Sequence, residues 1–263
     1  MAVLTGTMAQ AADESPWNED VRSAIRLIAG SSKAGDTVLR AGIEVKLRSG
    51  WKTYWRYPGD SGVPPHFDFS GSENLKKADV VYPTPHLFTD ETGQSLGYKD
   101  TVIFPVVVSP QRAGKPVRLR VKVDYAVCEK LCVPVEGRAE LVLESGDSKH
   151  DPALTAAEGR VPKHVTAAQL GLTAKRTTGG AKPTVTVDLG APAGKPVELF
   201  VEGPTPQWAL PIPKPAKSAP PGRAQFSFEL DGLPSGVDPK SPTDLIFTVV
   251  TGDRAVEVKT HLD

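Results

Sequence analysis

The chain has two cysteines, Cys128 and Cys132, three residues apart in Tyr125-Ala-Val-Cys-Glu-Lys-Leu-Cys-Val-Pro134. This spacing restricts the backbone around them. Along one β-strand, residues four apart are separated by about 13 Å, whereas a disulfide needs Cα atoms about 4.4–6.8 Å apart. A helical turn or tight loop brings them within reach. The flanks, residues 118–125 and 133–143, alternate apolar and polar side chains as half-buried strands do. The segment therefore reads as strand, short turn bearing both sulfurs, strand. In the loop-entropy model a disulfide closing about five residues stabilises a fold by only about 2 kcal/mol, against about 4.7 kcal/mol for a hundred-residue loop. Such a pair suits opening and closing better than stapling, although a local structural disulfide has the same spacing. Two sulfurs supply half of a tetrahedral zinc site, and no nearby histidine has finger-like spacing. Two-coordinate copper(I) on the thiolates is a further reading.

Short Val, Ile and Leu runs lie between 25 prolines and 24 glycines in 263 residues. That pattern predicts an all-β protein rich in turns, and the length allows two β-sandwich domains, each with its own core. Lys plus Arg and Asp plus Glu both total 31, so nothing suggests a nucleic-acid or anionic-membrane partner. No run of 18 apolar residues occurs, so no membrane-spanning segment is expected. Ala9-Gln10-Ala11 fits the small-x-small pattern of a signal-peptidase site, but the apolar region before it is short and lacks a basic residue. Residues 1–19 are expected to be a truncated export signal and a flexible lead-in. Export would place the protein where a disulfide persists.

The first domain is expected over residues 20–146, with strands near 21–28, 37–47, 51–57, 66–69, 78–82 and 101–108 before the cysteine hairpin. These make seven to nine short strands in all, the number of an immunoglobulin-like sandwich. In 51–57, alternation puts Trp51, Thr53, Trp55 and Tyr57 on a core face and Lys52, Tyr54 and Arg56 on the other. Pro105 predicts an edge strand or a bulge. Residues 86–98 read as a surface loop or hairpin. A linker is expected over 147–164, with a short helix at 152–158 capped by Asp151. A second β-sandwich is expected over 165–263, with strands near 183–189, 196–201, 224–230, 244–250 and 255–260. The proline-rich stretch 203–221 between two of them reads as an extended, water-facing connector.

Phosphate-cradling glycine loops, G-x-S-x-G and H-E-x-x-H are absent from the sequence. His66, His86, His150, His164 and His261 are scattered and read as surface or loop residues. No cofactor and no resident metal site are expected, and only the cysteine turn suggests reactivity.

Residues 50–65 (Gly50-Trp-Lys-Thr-Tyr-Trp-Arg-Tyr-Pro-Gly-Asp-Ser-Gly-Val-Pro-Pro65), Phe69-Ser-Gly-Ser-Glu-Asn74, Tyr82-Pro-Thr-Pro85 and Val127-Cys-Glu-Lys-Leu-Cys-Val-Pro134 resemble the amino-terminal periplasmic domain of the DsbD/ScsB family of thiol:disulfide interchange proteins. The resemblance covers roughly residues 20–145, and the second half is similar to the stretch that follows in ScsB-like members. It implies an immunoglobulin-like domain in which Cys128 and Cys132 are the redox pair. That pair would take electrons from a thioredoxin-like domain or a DsbD-type membrane protein and pass them to oxidised periplasmic proteins, a protein-disulfide reductase or interchange role. Full-length members continue into membrane and thioredoxin-like domains, so the electron supply is expected in trans. The cysteine spacing is shorter than in the best-known DsbD domain. By the same resemblance an aromatic segment caps the pair, with Trp51–Tyr57 and Phe88–Tyr98 as candidates. The family also carries associations with cytochrome c biogenesis and copper tolerance. Within the turn, Lys130 would favour a thiolate and Glu129 oppose it. Two other readings stand beside electron relay: a non-catalytic binding module with a structural disulfide, and a copper(I)-binding accessory protein.

Overall fold

The structure, a computed structural model, describes residues 12–59, 62–90, 93–180, 182–192 and 194–263. Residues 1–11, which carry most of the expected export signal, lie outside them. In chain order the strands of the first part are β1 (Asn18–Glu19), β2 (Ser23–Ala29), β3 (Leu39–Leu47), β4 (Lys52–Gly59), β5 (His66–Asp68), β6 (Leu75–Val80), β7 (His86–Asp90), β8 (Gly93–Lys99), β9 (Thr101–Pro110), β10 (Val117–Cys128) and β11 (Cys132–Leu143). Helix α1 (Asp151–Gly159), β12 (Lys163–His164) and α2 (Ala167–Leu170) follow. The remaining strands are β13 (Thr173–Thr177), β14 (Thr184–Gly190), β15 (Val197–Glu202), β16 (Lys214–Pro215), β17 (Arg223–Glu229), β18 (Thr243–Thr251) and β19 (Arg254–Leu262). The fold is all-β, with 54% of the described residues in strands and 5% in helix.

The chain forms two compact units that are not consecutive in sequence. The first holds residues up to Thr53, Pro65–Tyr82 and Lys99–Gly159; the second holds Tyr54–Pro64, Pro83–Tyr98 and Arg160–Asp263. Residues 54–64 and 83–98, read from the sequence as part of the first domain, therefore pack with the second half.

In the first unit one sheet runs β1-β2-β3-β9-β6. The other is built on β10, paired along its length with β11 and on its far side with β5 and the first two residues of β4. Ile25, Leu27, Ile43, Val45, Val102, Phe104, Val106, Leu119, Val121 and Val123 are buried between them. They are the alternate residues of their strands, as a sandwich core requires. The sheets approach closely at Gly137, where a Cβ would lie 2.5 Å from Ile25 Cδ1, so a larger residue would displace the Ile25 side chain. Pro105 is not on an edge: β9 lies between β3 and β6. Its missing N–H is tolerated because the regular β6 ladder has ended at Val80, and the Pro105 carbonyl still accepts from Val81 N–H at 2.9 Å.

Four further expectations for this unit are corrected. Residues 13–19 are not a free lead-in. Ser15 N–H donates to the Leu27 carbonyl at 2.8 Å and Ala29 N–H to the Asp13 carbonyl at 2.8 Å, which fixes the segment along β2. Within the expected linker, α1 is part of the unit. Leu154 is fully buried, over Gly42, where a Cβ would meet Leu154 Cδ2 at 2.7 Å. The Asp151 carboxylate does not cap its own helix. It accepts from Ser31 N–H at 3.0 Å and from Arg40 at 3.1 Å, while Arg40 also holds Glu158 with two bonds of 2.9 Å. His150, expected on the surface, is buried and pairs with Glu14 at 2.8 Å.

The second unit contains the sheets β12-β19-β18-β15 and β13-β14-β17-β16. Val185, Val187, Leu189, Phe226 and Phe228 of one and Leu199, Val201, Leu245, Phe247 and Val249 of the other are buried, and Phe228 meets Phe247 edge-on at 6.3 Å. The five strands expected here are present. The proline-rich connector is not water-facing throughout: Trp208, Leu210 and Ile212 are buried, and the Leu210 carbonyl accepts from the Tyr57 hydroxyl. In the part of β4 that lies in this unit, Tyr54 is as inaccessible as Trp55. Arg56 stacks on Trp55 with 4.6 Å to the ring centre. Its guanidinium bonds Glu202 at 2.7–3.2 Å and also contacts Glu257. Burial works against its charge, yet the two carboxylates outweigh that and raise its pKa above the ordinary value.

Two outcomes are expected. Leu154→Ala costs about 3 kcal/mol of unfolding free energy in chemical denaturation, as a fully buried leucine does; a loss under about 0.5 kcal/mol would mean that α1 is only loosely attached. Hydrogen bonds from Ser31, aided by Arg40, hold the Asp151 carboxyl below its ordinary value against partial desolvation. A depressed folded-state pKa gives stability that is complete above about pH 3.9 and is lost as pH falls through the folded value. The stability difference between the native protein and Asp151→Asn is therefore larger at about pH 6 than at about pH 3.

Candidate functional site

Strands β10 and β11 pair residue by residue from Val117↔Leu143 to Cys128↔Cys132. The alternation of Val117, Leu119, Val121, Val123 and Tyr125 sets the register, because a one-residue slip would turn this whole row away from the core. Only Glu129, Lys130 and Leu131 lie between the cysteines, with Glu129 N–H facing the Leu131 carbonyl at 3.4 Å. The expected strand-turn-strand is present, and the two sulfurs form a disulfide with S–S 2.05 Å and Cα–Cα 4.1 Å. That separation is of the close type of antiparallel pair, about 4.5 Å. The ladder itself sets the two cysteines side by side.

The two ends of the bond differ. Cys128 is 2% exposed, whereas Cys132 is exposed. Strand position explains this. Cys128 ends an interior strand, with β11 on one side and Lys52 of β4 paired to it on the other. Cys132 begins an edge strand. The β4 contact is held by Thr53, whose buried hydroxyl donates to the Ala126 carbonyl at 2.9 Å. Three residues before Cys128 on β10, the Tyr125 hydroxyl meets Ser23 Oγ at 2.8 Å inside the unit, and burial pushes its pKa up.

Lys130 and Glu129 both stand exposed on the loop, where water screens their opposite effects on a thiolate. The Glu129 carboxylate lies against Gly50. Trp51 is half-buried under the Arg22 guanidinium, 5.4 Å from ring centre to Cζ. Of the two aromatic candidates, Trp51–Tyr57 is divided, with Trp51 to Thr53 in the first unit and Tyr54 onward in the second. Residues 88–90 and 93–98 belong to the second unit as the β7–β8 hairpin. Among the described residues no group of three or more His, Cys, Asp or Glu side chains is gathered as a metal site.

The asymmetry between the sulfurs was not readable from the sequence. Period-two alternation puts Cys128 on the face of Lys122 and Asp124, which reads as solvent-facing. The signal available was the unbroken run Tyr125-Ala-Val-Cys128, where alternation stops because the strand end is enclosed on both sides.

The ladder, rather than the disulfide, holds the hairpin. Reduction, or the double substitution Cys128→Ser with Cys132→Ser, is therefore expected to lower the unfolding free energy by no more than about 2 kcal/mol and to leave the β-sheet circular-dichroism spectrum unchanged. A collapse of that spectrum on reduction would identify the bond as a structural staple.

Comparison with known proteins bears on the same region. Residues 23–144 match the family model described as thiol:disulfide interchange protein DsbD, N-terminal. The structure is similar to the crystal structure of the N-terminal periplasmic domain of ScsB from Proteus mirabilis, with a TM-score of 0.75 and 19% identity, over 95% of this chain and 98% of that one. No curated protein matches the sequence. Among the described residues, no helix is long and apolar enough to cross a membrane.

Proposed function

With residues 23–144 forming a DsbD/ScsB-family N-terminal domain, we propose that the protein relays electrons in the periplasm through Cys128 and Cys132. The donor is a thioredoxin-like domain or a DsbD-type membrane module, and the acceptors are oxidised periplasmic proteins. The observation that carries this reading is an exposed cysteine, Cys132, bonded to a buried one, Cys128. A structural bond has no need of such an accessible end. The compartment is supported by the likeness to a domain described as periplasmic. In this proposal residues 20–146 hold the redox function.

The exchange runs as two displacements. A donor thiolate attacks Cys132 Sγ, the Cys128–Cys132 bond breaks, and Cys128 leaves as a thiolate that takes up a proton. The donor's second thiolate then attacks its own sulfur in the mixed disulfide and releases Cys132. The donor dithiol has lost two electrons and two protons, and this pair has gained them. In the forward direction the Cys132 thiolate attacks an acceptor disulfide and Cys128 resolves the intermediate. Because Cys128 and Cys132 are cross-strand partners, the resolving sulfur stays beside the reacting one, and little chain entropy is lost when the bond re-forms.

Two measurements test this. Equilibration against glutathione followed by thiol alkylation should give a reduction potential between about −180 and −270 mV, the range of working redox proteins. In Cys128→Ser the remaining Cys132 thiol should react with an aromatic disulfide at least about tenfold faster than Cys128 does in Cys132→Ser. A potential below about −300 mV, or a faster Cys128, would sink the relay reading in favour of a binding module with a structural disulfide.

A further inference from the structure

In the second unit, strand β17 has a stretch of edge that its neighbour leaves uncovered. Leu230 N–H donates to the Pro183 carbonyl at 2.9 Å, and Ala216 N–H to the Gln225 carbonyl at 2.8 Å. In an antiparallel ladder the bonding side alternates from residue to residue. The even residues of β17 therefore bond toward β14, and the N–H and C=O of residues 225, 227 and 229 point toward β16. Strand β16 covers that side through Lys214↔Ser227 and Pro215↔Phe226. Two residues further, the same register would set Ile212 opposite Glu229 on the exposed face. The chain leaves the ladder instead. Ile212 is buried against Gly59, where a Cβ would lie 3.1 Å from Ile212 Cδ1. The chain meets the edge again at Ala209, whose N–H donates to the Gly232 carbonyl at 2.7 Å. Between these two contacts Pro211 and Pro213 have no N–H to offer, and the Leu210 carbonyl is taken by the Tyr57 hydroxyl. The main-chain N–H and C=O of Glu229 are left without a bond to any described residue.

The gap is an open cleft of about 650 Å³, within the size range of small-ligand sites. Ala209 and Pro211 give it an apolar wall, while Lys214, Ser227, Glu229 and Asp231 line it with exposed polar side chains. The charges are separated along it. Lys214 stands opposite Ser227, and Glu229 is two residues on. Such diagonal neighbours lie about 7–8 Å apart, within reach of long side chains, yet no ion pair joins these two. Lys214 makes no hydrogen bond or ion pair to a described residue. Asp231 is held by Lys182 at 2.6 Å, and the Glu229 charge also acts on Lys182. With Lys182 included, the cleft carries one net positive charge at the Lys214 end and one net negative charge at the Glu229–Asp231 end.

We propose that this cleft binds a short zwitterionic peptide, of about three residues, lying extended beside Glu229. An extended peptide offers the N–H and C=O that an uncovered strand edge lacks. Its carboxylate meets the Lys214 ammonium, and its amino end meets the carboxylates of Glu229 and Asp231. That polarity runs the peptide antiparallel to β17. Residues 227 to 231 span about 13 Å of strand, the length of three residues with their charged ends. The wall of Ala209 and Pro211 suits small apolar side chains. This site takes no part in the cysteine relay and does not depend on it.

The test titrates trialanine into the full, isotopically labelled chain and follows the backbone amide resonances by NMR. The amides of Ser227 and Glu229 should shift and saturate with a dissociation constant of about 1 mM or below. Lys214→Met and Glu229→Gln, both at exposed side chains, should each weaken binding at least about fivefold, as should trialanine acetylated at one end and amidated at the other. The proposal falls if the Ser227 and Glu229 amides show no saturable shift up to about 20 mM peptide. It also falls if neither variant weakens binding, or if the blocked peptide binds as tightly as the free one, which would mean a neutral ligand such as a sugar or a non-specific additive effect.

Discussion

The cross-strand ladder between β10 and β11 is the constraint on which the rest depends. Twelve residues of each strand are paired without interruption, and the inward-facing residues of β10 supply one wall of the first unit's core. Because that register is fixed by core packing, the cysteines at its open end are held at one separation whether or not they are bonded. The sulfur pair is therefore free to serve as a chemical group. The same ladder gives the pair its two unlike ends, since it joins an interior strand to an edge strand.

Around this hairpin the protein spends its polar groups on fixing segments that the hydrophobic pattern alone would leave loose. Thr53 holds the start of β4 to Ala126. Asp151, Arg40 and Glu158 dock α1 over Gly42, and Glu14 joins Arg26, Lys149 and His150 beside β2. In the second unit Arg56 with Glu202 and Glu257 forms a half-buried cluster of one cation and two carboxylates. Breaking such a cluster by removing one partner costs more than the cluster contributes, because the remaining charges stay desolvated. These contacts restrict position, and their value lies in specifying where helices and strand ends sit.

The strands were legible because apolar alternation is imposed by burial of one sheet face, a property of neighbouring residues. Thr101–Val108, Ala224–Leu230 and Asp244–Val250 all appear near their expected bounds. Reading failed where a residue's surroundings come from distant chain. Pro105 suggested an edge, but an interior position is tolerated where the adjacent ladder stops. Proline frequency at 203–221 suggested a solvated connector, yet Trp208, Leu210 and Ile212 alternate into a core. Asp151 suggested a helix cap, yet its carboxylate is used by Ser31 and Arg40, more than a hundred residues away.

The sequence by itself determined that the chain is built of short strands and that its two cysteines meet across a tight turn, because alternation and a four-residue separation are local constraints that few backbones satisfy. Only the tertiary structure decided that Cys128 is buried and Cys132 exposed, and that residues 54–64 and 83–98 pack with the second half. Each of these depends on which strand lies beside which, and strand order is set by contacts between segments far apart in the chain, which no local pattern records.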